Sequence, residues 1–172
     1  LHHPHGQIYG YPYATPRTKK LLDSIEKFGS DLFQKTLEFE QSSERVLIAG
    51  KNFTAYVPFA ARWPIEIHLL PHRHVQHFGQ LTTDERDELA EIYSKLLGAL
   101  DRIYDTPTPY ISAWHQAPLV TGGENVRLQL QITSPRRAAD KLKYLAGSES
   151  AMGAFIADIS PESAAEMIRK AI

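Results

Sequence analysis

The chain has 172 residues, no cysteine, and a formal net charge of -1 from 19 basic and 20 acidic side chains. That length predicts one domain with room for a sizeable core, and the near-zero charge gives no electrostatic reason to expect nucleic acid or an anionic membrane as partner. Without cysteine, disulfides and thiolate metal sites are excluded, and the absence of a signal peptide or a run of about eighteen apolar residues predicts a soluble, cytoplasmic protein.

The first stretch is His2-His3-Pro4-His5-Gly6-Gln7-Ile8-Tyr9, and the first residue is Leu1 rather than Met, so the chain is expected to begin inside a longer one. Residues 3–13 read as a strand with aromatic alternation, which puts His3, His5 and Gln7 on one face. A neutral imidazole carries a lone pair at neutral pH. Pro4 fixes the backbone before His5, and Gly6 lets a phosphate approach closely. This is a kit for phosphoryl chemistry, with a nucleophile, an uncharged donor and an open backbone.

Thr15-Pro16 predicts a helix start, with Thr15 as N-cap and Pro16 at the first helical position. Leu21, Leu22, Ile25, Phe28, Leu32, Phe33 and Leu37 recur at helical spacing, which predicts one long amphipathic helix over residues 16–40, weakened or bent at Gly29-Ser30. Strands over 45–49 and 53–58 flank the turn Gly50-Lys51-Asn52. A third strand covers 65–70. His68, His72, His74 and His77 read as a rim of histidines at a strand end rather than as metal ligands.

Thr82 or Thr83 caps the next helix, whose first turn gains Asp84, Glu85 and Asp87. Leu89, Ile92, Tyr93, Leu96, Leu97 and Leu100 line its apolar face. A strand over 110–115 follows, then a turn at Gly122-Gly123-Glu124-Asn125. Residues 126–133 alternate, with Val126, Leu128, Leu130 and Ile132 on one face and Arg127, Gln129, Gln131 and Thr133 on the other. From Arg137 onward the composition predicts helix, punctuated by Gly147 and Ser160-Pro161-Glu162.

The run His3-Pro4-His5-Gly6-Gln7-Ile8 resembles the active-site motif of the galactose-1-phosphate uridylyltransferases, a branch of the histidine-triad superfamily. Three further stretches carry the resemblance. They are Tyr56-Val57-Pro58-Phe59-Ala60-Ala61-Arg62-Trp63-Pro64-Ile65-Glu66-Ile67, Leu69-Leu70-Pro71 with His74-Val75, and Ser112-Ala113-Trp114-His115-Gln116-Ala117-Pro118. The matches cover nearly the whole chain and only the family's second half. The resemblance implies an α+β, histidine-triad-like antiparallel sheet with helices packed on one face. It also implies that residues 1–14 are an active-site strand belonging to a missing N-terminal repeat, and that 15–172 are the C-terminal domain.

By the same resemblance, His5 attacks the α-phosphorus of UDP-glucose to form a uridylyl-histidine, Gln7 binds the phosphoryl oxygens, and His3 is a zinc ligand. Galactose-1-phosphate then accepts the uridylyl group. Lys143 and Glu149 fall in a segment that contacts the hexose or its phosphate, with Ser148 where the family has tyrosine. Family members use a histidine at His115, two strand histidines and a glutamate as a second, structural metal site. Here the strand positions are Gln129 and Gln131 and the glutamate position falls at Leu21, so this second site is expected to be lost. The expected partners are the missing N-terminal half or a second copy, in a homodimer. Two alternatives stand beside this reading. One is a nucleoside-diphosphate-sugar phosphorylase of the same superfamily. The other is a non-catalytic subunit that completes a site with a separate N-terminal half.

Overall fold

Five short runs of alternating side chains build the sheet that organises the molecule. The computed structural model describes residues 5–172. Strands β1 (Val46–Ala49), β2 (Phe53–Tyr56), β3 (Ile65–Pro71), β4 (Ile111–His115) and β5 (Gln129–Ser134) form one antiparallel sheet in the order β1-β2-β3-β5-β4. The hairpin between β1 and β2 turns as expected. A Cβ on Gly50 would stand 2.1 Å from Oε1 of Glu88, so a larger residue there would displace that carboxylate. That carboxylate accepts from the Asn52 backbone N–H at 3.0 Å and so holds the turn.

Helices cover the sheet. α1 (Pro16–Phe28) has Thr15 as N-cap and Pro16 at its start, and α2 (Leu32–Gln41) follows after a break. The single helix expected over 16–40 is therefore two. Gly29 adopts φ 125°, a conformation outside the helical region, and its N–H closes α1 on the Ile25 carbonyl. α3 (Thr83–Arg102) opens with a capping box, in which Thr82 accepts from the Glu85 N–H and the Glu85 carboxylate accepts from the Thr82 N–H. α4 (Gly147–Met152) and α5 (Pro161–Ala171) complete the chain.

Period-two alternation divides the sheet's side chains between two cores. On one face Phe53, Ala55, Ile67, Leu69, Leu130 and Ile132 pack with Leu89, Ile92, Leu96 and Leu100 of α3 and with Ala165 and Ile168 of α5. Each fully buried aliphatic side chain there contributes about 1.5–3 kcal/mol. On the other face Tyr56, Leu70 and Val126 pack with Ile25 of α1 and with Phe33 and Leu37 of α2. The antiparallel α+β class stands, but the helices expected on one face lie on both. The apolar stripe of residues 16–40 needs a sheet surface of its own to be buried.

Three further expectations change. Residues 5–13 carry no strand and are exposed. A lone strand leaves its N–H and C=O groups without a ladder partner, and among the described residues no strand pairs with this segment. His5 and Gln7 therefore do not share a strand face within this chain. The tail from Arg137 is not helical at first. β6 (Arg136–Ala138) and β7 (Lys141–Leu142) make a separate two-stranded hairpin. The fifth strand also begins later than residue 126, because the Val126 N–H bonds the Gly123 carbonyl and the Leu128 N–H bonds the Val75 carbonyl. No helix among the described residues is long and apolar enough to cross a membrane.

Candidate functional site

The first candidate is the segment before α1. His5 and Gln7 are both exposed. The Gln7 carboxamide oxygen accepts a hydrogen bond from the Tyr9 hydroxyl, which leaves its NH₂ as the donor for an anionic oxygen. Tyr9 stacks on Tyr11, with ring centroids 6.3 Å apart. His3, expected as a metal ligand, lies outside the described residues.

The second candidate is the pair Lys143 and Glu149. The structure brings them together, with Nζ 2.8 Å from Oε1 and both side chains almost fully buried. Nζ also lies 3.4 Å from Oδ2 of Asp158 and donates to the carbonyls of Arg62 and Ile156. Glu149 accepts from the Ala146 and Ile156 backbone N–H groups. The Lys143 hydrogen bond, then the Ala146 N–H, hold the Glu149 carboxyl down to about 2. Both charges are thus engaged with one another, closing the loop over 143–158. Tyr144 and Leu145 beside them stay exposed.

The third cluster lies on the sheet face that α1 covers. His68 sits opposite Gln131, and His115 opposite Gln129. His68 bonds Glu66 at 2.9 Å. Burial alone would raise the Glu66 carboxyl, but the hydrogen bonds from His68 and the Arg62 N–H outweigh it and leave it lowered. Gln131 donates to Gln129 at 3.2 Å and accepts from Arg17 at 2.5 Å. Burial, then the positive Arg17 nearby, lower the His115 pKa. Its Nε2 is buried and makes no hydrogen bond among the described residues.

A divalent metal at this cluster is favoured by that one unbonded imidazole nitrogen and disfavoured by the rest. Carboxamides are weak ligands compared with imidazole, and a guanidinium already stands on one of them. Leu21, at the expected glutamate position, packs against the apolar core instead. The residues present do not fit a structural metal. Among the described residues, no group of three or more His, Asp or Glu is arranged to hold one.

Other histidines serve local structure. His72 bonds Thr54 Oγ1 at 2.8 Å and the Lys51 carbonyl at 3.0 Å, and His74 bonds the Glu124 carbonyl at 3.0 Å. Sequence reasoning missed Arg17 and Arg127. Arg127 is buried and donates to the Pro71 carbonyl at 3.0 Å and to Gln34 at 3.2 Å. Alternation had marked only its face. Its partners are remote in sequence, so no local signal pointed to them.

The chain matches the family described as galactose-1-phosphate uridyl transferase, C-terminal domain, over residues 14–171. A galactose-1-phosphate uridylyltransferase from Streptomyces lividans is 38% identical over 192 residues, covering 99% of this chain and 52% of the relative. The chain therefore spans about half the length of the curated relatives it matches. A solved uridylyltransferase structure superposes with a TM-score of 0.88 at 36% identity, over 98% of this chain and 55% of that one. An ADP-glucose phosphorylase from Arabidopsis thaliana with bound ADP-glucose gives 0.76 at 26% identity, over 93% and 50%. A zinc-bound histidine triad family protein from Mycobacterium smegmatis gives 0.53 at 14% identity, over 83% and 94%, a likeness of fold alone.

Proposed function

Because this chain belongs to the galactose-1-phosphate uridyl transferase family through its C-terminal domain, we propose that it supplies the C-terminal half of a UDP-glucose–hexose-1-phosphate uridylyltransferase. The observation that carries this reading is the His3-Pro4-His5-Gly6-Gln7 motif standing directly before the matched domain. A ring nitrogen of His5 attacks the α-phosphorus of UDP-glucose. The P–N bond forms as the P–O bond to glucose-1-phosphate breaks, and glucose-1-phosphate leaves with the electron pair. A phosphate oxygen of galactose-1-phosphate then attacks the uridylyl-His5, forming UDP-galactose and restoring the imidazole. The Gln7 NH₂ stabilises charge on the non-bridging oxygens.

In this reading His3 gives one imidazole to a zinc ion. One imidazole does not fill a zinc shell, so the remaining donors come from another polypeptide segment. Residues 1–14 belong functionally to that N-terminal repeat, and the working form is a cytoplasmic homodimer. Lys143 and Glu149 serve the hexose phosphate by shaping the loop over 143–158. Direct contact with the sugar requires their ion pair to open.

The test is covalent labelling. The chain is incubated with UDP-glucose labelled in the uridine, alone and with an N-terminal polypeptide of the family. Label on His5 that appears with the partner and is discharged by galactose-1-phosphate is the expected result. Label that persists in His5→Ala would overturn it, as would full turnover by the chain alone. The phosphorylase likeness supports a second reading, in which orthophosphate discharges the nucleotidyl-histidine. Replacing galactose-1-phosphate by orthophosphate in the same assay separates the two.

A further inference from the structure

Arg17 stands where helix electrostatics disfavour it. It is the second residue of α1, where a cation meets the positive end of the helix dipole, and the first turn holds no acidic residue to offset it. Its side chain crosses to the sheet, where Nη2 donates to Oε1 of Gln131, 114 residues away in sequence. Gln131 is only 7% exposed. Its amide is committed at both ends, the oxygen to Arg17 and the nitrogen to Gln129. His115 faces Gln129 across the ladder. Of the donors that the family resemblance gives to a metal, one imidazole nitrogen is unbonded and both amide oxygens already accept hydrogen bonds. A second cation sharing the Gln131 oxygen would be repelled by the guanidinium.

We propose that Arg17 is the resident cation of this cluster, a positioning residue that ties the first turn of α1 to β5 through Gln131 and keeps a divalent metal away from His115. The inference does not depend on the reaction proposed above, because its readouts are metal content and helix protection.

Zinc binding to the 172-residue chain is measured by calorimetry and by elemental analysis after dialysis. Parallel His115→Ala chains subtract zinc held by other histidines. The native chain should hold no zinc that His115→Ala removes. The Gln129→His chain keeps Gln131 and its Arg17 contact while offering a second imidazole beside His115, and adding Arg17→Gln to it should tighten zinc binding roughly tenfold by removing the charge. Native zinc lost in His115→Ala would overturn the proposal, as would equal affinity with and without Arg17. A second measurement does not need these variants to bind metal. Arg17→Ala and Gln131→Ala should each speed amide exchange over residues 15–28, and the double variant should be no faster than either. Additive effects would show that no tie exists.

Discussion

Residues 5–13 and residues 143–158 handle polar groups in opposite ways. In the first region there is no helix or strand, and Ile8, Tyr9, Tyr11 and Tyr13 are exposed around His5 and Gln7. In the second, Lys143, Glu149 and Asp158 turn inward and meet one another. Both regions carry residues that the family resemblance assigns to substrate. The difference teaches that surroundings, not residue identity, decide whether a polar side chain stays open to solvent or is committed to holding the fold.

The sharpest separation is between activity and stability. His5→Ala should lower uridylyl transfer by the assembled enzyme about 10³-fold or more. It should leave unfolding free energy within about 0.5 kcal/mol, because the residue is exposed. Steady-state kinetics beside a urea titration reads both. A large stability loss would break the comparison from the first side.

Next in size is Lys143→Met. It leaves Glu149 buried without its cation, and the melting temperature should fall by roughly 6–12 °C. The K143M/E149L chain should recover most of that loss in a thermal melt. A double variant as unstable as the single would show that the pair is not a unit.

The pH dependence follows from the same pair. The folded Glu149 carboxyl is depressed to about 2 from an ordinary 4.5. A depressed folded value means that the unfolded chain binds the proton first. This contribution to stability is therefore fully present above 4.5 and disappears as pH falls toward about 2. Glu149→Gln should flatten the stability profile in that window, measured as urea midpoints against pH. Deleting residues 1–13 should leave the window unchanged. That deletion should also give the smallest effect, a melting shift within about 2 °C.

Much of the scaffold was legible along the chain. The Gly50 turn, the threonine cap and acidic first turn of α3 and the alternation of residues 128–132 are local patterns with local causes, although the capping box that singles out Thr82 over Thr83 shows only in the structure. The break at Gly29 was visible as a weak point, but its extent was not. Two apolar stripes that pack on the same sheet face read as one helix, and only the Gly29 backbone shows where the first of them ends.

The sequence by itself determined the presence of the His3-Pro4-His5-Gly6-Gln7 motif and most strand positions, while the antiparallel class followed only from the family resemblance that motif carries. The motif and the strand positions depend on residue type and on spacings of a few residues. Tertiary structure alone decided that helices cover both faces, that residues 5–13 lack a strand, that Lys143 and Glu149 face each other, and that Arg17 reaches Gln131. Each of these depends on which surface is left to bury or which partner arrives from far along the chain. A contact spanning 114 residues leaves no trace in local periodicity.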